Sequence, residues 1–153
     1  MKEDRNRDDI VKGYSLFKSQ VEVPTPPPPG FTSPFRTVQE WLIYVCDNNQ
    51  PDKSISEYRF DLYESPGNNL LCLVGYNHTV EQGVPTSRVD FKPSQHMFFA
   101  LPNDEYENSL HQRVQQRVFK DLKQFLNTDI FKRSFLSKGY TITTNFAGDI
   151  WSK

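Results

Sequence analysis

The sequence predicts an α+β fold, with an antiparallel sheet of about four strands and two or three helices packed on one face. Apolar residues recur at helical spacing in two separate segments and alternate with polar residues in others. Most strand-like segments precede the helical ones, which favours an antiparallel sheet over an alternating parallel fold. The 153 residues match one domain, and 12 Phe, 7 Tyr and 2 Trp predict an aromatic core.

The chain is predicted to consist of a flexible, charged and proline-rich arm, residues 1–30, and a single domain, residues 31–153. Consecutive prolines at 26–29 fix φ and remove amide donors, so this run is expected to be an extended polyproline segment. It is interpreted as a stiff spacer, although aromatic grooves of partner proteins also bind such runs.

The first helix is predicted to begin at Thr37, where Thr37 and Glu40 fit a capping box. It is expected to end before Pro51, because the residue before a proline avoids helical backbone angles. One face carries an apolar stripe at helical spacing, formed by Val38, Trp41, Leu42 and Val45.

A β-hairpin is predicted next. Its first strand alternates buried Tyr58, Phe60 and Leu62 with a solvent-facing set, namely Arg59, Asp61 and Tyr63. Turn residues at 65–69 lead into an apolar strand at 70–75. The following twenty residues are interpreted as a long loop with at most a short strand near 88–91, before a short third strand at 97–101.

The C-terminal part is predicted to contain two helices and a strand. Asp104 and Glu105 suit the start of a long amphipathic helix ending near Leu126. Thr128 or Asp129 is expected to cap a short helix that Gly139 ends in a left-handed conformation. The final strand covers residues 140–146 and places four side chains on one face: Tyr140, Ile142, Thr144 and Phe146.

No catalytic, metal or cofactor site is predicted. The glycines do not form a phosphate-binding motif, and His78, His96 and His111 lack the close spacing of metal ligands. Cys72 and His78 are the one nucleophile and base pair in the sequence. Cys72 lies among aliphatic residues, so it is interpreted, like Cys46, as a reduced packing residue.

Charge is unevenly distributed along the chain, although the net charge is −1. Residues 31–109 contain five basic and eleven acidic side chains, whereas residues 110–153 contain eight basic and three acidic ones. If the acidic part forms one surface, it favours a basic partner. The basic residues Arg113, Arg117, Lys120 and Lys123 are interpreted as the polar outside of a helix, so no nucleic acid is expected. The lack of a long apolar run predicts no membrane span and a cytoplasmic location.

Four segments resemble a group of small uncharacterised bacterial proteins similar to accessory or immunity-type proteins encoded beside toxins. The resemblance covers roughly residues 35–150, excludes the arm and brings no assigned functional residues. The segments are Trp41 to Lys53, Tyr58 to Glu64, Phe131 to Leu136 and Thr141 to Asp149.

The leading hypothesis is a non-enzymatic protein-binding domain, possibly an immunity or inhibitor protein that neutralises a bacterial toxin. The candidate partner-binding residues are Asp52, Glu57, Arg59, Asp61 and Tyr63, since Tyr and Arg are frequent interface anchors. Their alternative role is plain sheet surface. Two other functions stay open. One is an enzyme with an unrecognised site around His78, Glu81 and His96 in the 77–96 loop, and the other is a structural or regulatory domain tethered by its arm.

Overall fold

A computed structural model describes residues 20–21, 24–64, 69–102 and 111–153, and it confirms the α+β class. Most of the arm, the 65–68 turn and the predicted helix start at Asp104 and Glu105 lie outside the described residues. The strands are β1 Gln20–Val21, β2 Glu57–Tyr63, β3 Leu70–Glu81, β4 Val84–Phe91, β5 Phe98–Ala100, β6 Thr141–Thr144 and β7 Gly148–Ser152. The helices are α1 Val38–Asn48, α2 His111–Leu126, α3 Asp129–Arg133 and a 3-10 turn, Phe135–Lys138.

The sheet is mixed and larger than the predicted antiparallel sheet of about four strands. Its described strands follow the order β1-β4-β3-β2-β6-β7, and β5 pairs with β3 off this path. The β1–β4 and β2–β6 pairs are parallel. A parallel neighbour needs a long crossover connection, and the segment between β2 and β6 includes α2 and α3. Grouped strands in a sequence do not specify such distant pairing, so the purely antiparallel prediction was wrong.

A tight hairpin joins β3 and β4, where a long loop was predicted. Gln82 and Gly83 both have positive φ, 53° and 78°, as a two-residue type I′ turn requires. The two strands pair from Glu81 and Val84 back to Gly75 and Phe91. The loop prediction was wrong because the turn carries Gln-Gly, which lacks the Asn-Gly or Asp-Gly signal of such hairpins.

The predicted N-terminal caps of α1 and α3 are present. Thr37 Oγ1 accepts a hydrogen bond from the Glu40 amide at 3.0 Å. The Glu40 carboxylate accepts from the Arg36 amide at 2.8 Å, one residue before the usual capping-box position. Thr128 caps α3 by accepting from the Phe131 amide at 3.2 Å. These bonds fix where α1 and α3 begin.

The C-terminal segment differs from its prediction at Gly139 and beyond Thr144. Gly139 has φ −75°, so it is not left-handed as predicted. Glycine is favoured here for a steric reason instead, because a Cβ at this position would be 3.0 Å from the Tyr58 ring. The chain turns after Thr144 into the unpredicted β7, and Tyr140 is 65% exposed and lies off the buried face.

One face of the sheet, named here the helix face, carries α1 and α2 and the main hydrophobic core. Trp41 of α1 stacks on Phe99 at 5.5 Å and meets Phe60 edge-on at 6.1 Å, measured between ring centroids. The residues predicted for the apolar stripe of α1 are all buried in this core. No helix among the described residues has both the length and the apolar character needed to span a membrane.

The other face of the sheet, named here the opposite face, carries a second apolar cluster. The part of the proline-rich segment after residue 24 contacts this face: the Tyr63 hydroxyl donates to the Pro24 carbonyl oxygen at 3.3 Å, and the Ala100 amide donates to Ser33 Oγ at 3.1 Å. Strand β3 is therefore buried on both faces over residues 70–76, which explains its continuous apolar sequence. The cluster contains Leu70, Cys72, Val74, Tyr76 and Phe98, with Phe31 packed against it.

Candidate functional site

A chain of four hydrogen-bonded polar side chains, named here the polar row, crosses the opposite face. Ser87 of β4 contacts His78 of β3, with 2.6 Å between Ser87 Oγ and His78 Nδ1. His78 Nε2 lies 2.6 Å from a carboxylate oxygen of Glu57 on β2. Thr143 Oγ1 of β6 donates to the other carboxylate oxygen of Glu57. The row links four adjacent strands through their side chains.

The hydrogen-bond partners in the polar row determine which ring nitrogen of neutral His78 carries the proton. An ionised carboxylate only accepts hydrogen bonds, so Nε2 carries the hydrogen that faces Glu57. Nδ1 is then an acceptor, and the Ser87 hydroxyl donates to it. His78 is 46% exposed at its side chain, and Glu57 is half-buried. This order places a hydroxyl, an imidazole base and a carboxylate in line.

Arg59 and Asp61 form an ion pair beside the polar row, with 2.7 Å between Arg59 Nε and Asp61 Oδ1. Asp61 is only 6% exposed, so the prediction of a solvent-facing position was wrong for this residue. Burial lowers the pKa of Arg59, but its hydrogen bond to Asp61 and the charges of Asp61 and Glu57 outweigh this effect and raise it overall. The alternation of β2 gave the correct face for Asp61, but not what covers that face.

The five predicted partner-binding residues fall into two places. Glu57, Arg59, Asp61 and Tyr63 share the opposite face of β2, where burial raises the pKa of Tyr63 to about 12. Asp52 is exposed in the loop before β2, at an open cleft of about 280 Å³ that Lys53 and Lys138 also line. Binding of a partner by these residues stays a prediction.

The residues of the alternative enzyme site have separate surroundings. His78 belongs to the polar row, and Glu81 is exposed at the end of β3. His96 instead packs near α1, with its ring 5.0 Å from Phe35 and 5.2 Å from Tyr44. The partner of His78 that the sequence did not reveal is Ser87, because the β3–β4 hairpin that pairs them was not predicted.

Both cysteines are free thiols. Burial raises the pKa of Cys72 to about 12 and that of Cys46 to about 11, which suppresses thiolate formation. Cys72 and His78 are six residues apart along β3, and at about 3.3 Å per residue this separation is roughly 20 Å. Burial of Cys72 confirms its interpretation as a packing residue, and the two residues do not form a nucleophile and base pair.

An open groove lies between α2 and the turn that connects β6 to β7. It has a volume of about 310 Å³ and a mainly apolar lining of Gln115, Gln116, Phe119, Phe146 and Ala147. Phe119 is 38% exposed. We name this surface the Phe119 groove. The sequence did not reveal it, because Phe119 lies outside the buried face of α2 and Phe146 was assigned to a strand. That buried face consists of Val114, Val118, Leu122, Phe125 and Leu126.

Positive charge lies on α2 beside the Phe119 groove. Arg113 and Lys120 are exposed and have no ion-pair partner within the described part of the chain. Lys123 donates to the Ile150 carbonyl oxygen at 3.1 Å, and Arg117 lies 3.8 Å from Asp121. All four basic residues occupy the outside of α2, as predicted.

The described residues contain no cluster of three or more His, Cys, Asp or Glu side chains that could hold a metal ion. Comparisons of the chain with protein-family models, curated proteins and solved structures gave no match. The site must therefore be interpreted from its own geometry.

Proposed function

We propose that the chain is a protein-binding domain and that the Phe119 groove is its binding surface. The observation that supports this proposal is a partly exposed aromatic side chain in an open, mainly apolar groove. Aromatic residues are frequent energetic centres of protein interfaces. Neutralisation of a bacterial toxin, the role implied by the sequence resemblance, is one specific form of this function and stays a prediction.

Both walls of the groove are held in place by the fold, which supports binding at low entropic cost. On one wall, Val118 and Leu122 anchor α2 in the main core. On the other wall, Thr144 Oγ1 accepts from the Ala147 amide at 2.7 Å. The Asn145 side chain also pairs with the backbone of Leu62, at 2.8 and 3.0 Å. The groove is therefore preformed.

Site-specific photo-crosslinking in the native host tests the proposal. A photoreactive phenylalanine analogue replaces Phe119 in one variant and Val80 in the control, because Val80 is 71% exposed on the distant β3–β4 hairpin. We expect a discrete protein adduct at 119 that is absent at 80. The crosslinked protein, once purified, should bind Phe119→Ser at least about tenfold more weakly than the parent chain, a difference of about 1.4 kcal/mol. Equal affinities, or no adduct specific to 119, would rule the groove out.

A second candidate function, acyl transfer by Ser87, is favoured by the order of the polar row. Ser87 Oγ would attack an ester carbonyl while its proton passes to His78 Nδ1, and Glu57 would hold the other ring nitrogen. His78 would return this proton to the leaving alcohol, and water would then hydrolyse the acyl-serine. A fluorophosphonate probe should label Ser87 and fail to label His78→Ala, with Ser56→Ala as the control. An unlabelled parent chain excludes this candidate.

A further inference from the structure

We infer that the partner of the Phe119 groove is an acidic amphipathic protein segment, with an apolar side chain between Phe119 and Phe146 and carboxylates facing α2. This partner chemistry rests on the proposed function. The inference specifies the sign of charge and the pattern of apolar and acidic residues that the partner must carry.

The sign of charge follows from the positions of the basic residues on α2. Residues three or four apart lie side by side on a helix. Arg113 and Lys120 therefore flank Gln116, which lines the groove, and Lys123 lies one turn from Phe119. By helical spacing, these cations lie beside the groove on α2, although none of them is among the residues that line it. Two acidic residues are exceptions: Glu64, which accepts a hydrogen bond from the groove residue Gln115 at 3.3 Å and lies 2.8 Å from His111 Nδ1, and Asp149, which is exposed two residues after Ala147.

The basic residues of α2 differ in how far their charge is already compensated. Arg117, the fourth basic residue of α2, lies near Asp121, so part of its charge is already compensated. Arg113 and Lys120 have no such compensation among the residues that the structure describes. Carboxylates of a partner would supply it, and complementary charge speeds association and selects between partners more than it strengthens binding.

The shape of the groove favours a protein segment over other ligands. At about 310 Å³, it is at the lower end of the range of small-molecule pockets, and it is open to solvent. Such a depression accepts one or two side chains from a longer segment. Extended nucleic-acid contacts would need more positive charge than a chain of net charge −1 offers, so we favour an acidic protein segment over a polyphosphate.

Fluorescence anisotropy with synthetic probes tests the partner chemistry. The first probe is a short amphipathic peptide with Glu on its polar face and Leu and Phe on its apolar face. The second replaces each Glu with Lys, the third replaces the apolar residues with Ser, and the fourth is a single-stranded oligonucleotide. We expect the Glu peptide to bind at least about tenfold more tightly than each of the other three.

A charge exchange gives the sharpest control. The double variant Arg113→Glu and Lys120→Glu should lose the Glu peptide and gain the Lys peptide, whereas Val80→Ser should behave like the parent chain. Phe119→Ser should weaken both peptides, and circular dichroism shows whether each variant is folded. The charge exchange distinguishes specific electrostatic recognition from nonspecific binding.

The possible failures are distinguishable. Failure of the Glu peptide to bind, equal binding of the Glu and Lys peptides, or tighter binding of the oligonucleotide overturns the inferred partner chemistry. If the 119 crosslink still forms with a host protein in these cases, the protein-binding proposal survives. Absence of the crosslink removes the proposal itself.

Discussion

The two faces of the sheet differ in what covers them and in the side chains that they bury. The helix face is covered by α1 and α2, and its core is built from aliphatic and aromatic side chains. The opposite face combines a small apolar cluster with the polar row and the Arg59–Asp61 ion pair, of which only Asp61 is buried. Strand β2 contributes to both. The comparison shows that alternating residues in a strand identify its two faces, but do not show that the polar face is wet.

Replacement of a large side chain on each face gives the strongest test of this difference. Phe60→Ala should lower the free energy of unfolding by about 3–5 kcal/mol, because it leaves a cavity in the main core. Phe98→Ala, on the opposite face, removes the same kind of side chain from the smaller cluster and should cost less. Denaturation with urea measures both, with Val80→Ala as the exposed control. Equal losses would show that the two faces are equally tightly packed.

The Arg59–Asp61 pair should contribute the next largest effect. Asp61→Ala removes the acceptor of a largely buried ion pair, and the expected cost is about 1–3 kcal/mol. Arg59 is partly exposed and can turn towards water, so the loss should stay below that of a fully buried pair. The double variant Arg59→Met and Asp61→Leu should recover much of it. A double variant less stable than Asp61→Ala would contradict this account.

Alkaline pH should weaken the opposite face through Cys72. The folded protein keeps the Cys72 proton up to a pKa of about 12, whereas the exposed thiol of the unfolded chain loses it near 9.0. Between these values the unfolded state binds fewer protons, so stability that is complete below pH 9 falls as the pH rises. We expect a loss of about 1 kcal/mol per pH unit from this group. Unfolding curves of the parent and Cys72→Ala at several pH values measure it, and identical slopes would refute it.

The smallest expected effect concerns the polar row. His78→Ala removes two hydrogen bonds from a half-exposed position, and its cost should be about 0.5 kcal/mol. Val80→Ala, two residues away on the same strand, is the matched control for loss of an exposed side chain. A loss above about 2 kcal/mol would mean that the row holds the sheet together more strongly than surface interactions usually do.

Local features of the fold could be predicted from the sequence, whereas distant pairing could not. The cap at Thr37 and the buried stripe of α1 depend on residues within two turns, and both are present. The β3–β4 hairpin was missed because Gln-Gly is a weak turn signal, and the β2–β6 pair joins segments whose contact leaves no local pattern. The burial of Asp61 on the opposite face likewise depends on residues far away in the sequence.

The candidate site was less predictable than the fold. His78 was singled out, but its partner Ser87 lay in a segment interpreted as a loop. The Phe119 groove forms only when the β6–β7 turn meets α2, so neither Phe119 nor Phe146 showed its role in the sequence. Sites assembled from two elements require the tertiary structure before their residues can be grouped.

The place of β2 in the sheet has a consequence for biosynthesis. The parallel partner of Glu57 is Thr141, so one edge of β2 stays unpaired until the ribosome has synthesised the long segment between these two residues. An unpaired strand edge can pair with strands of other chains, and the alternating polar side chains of β2 make such aggregation less favourable. This part of the sheet is thus completed only when β6 pairs with β2 and the following strand, β7, pairs with β6.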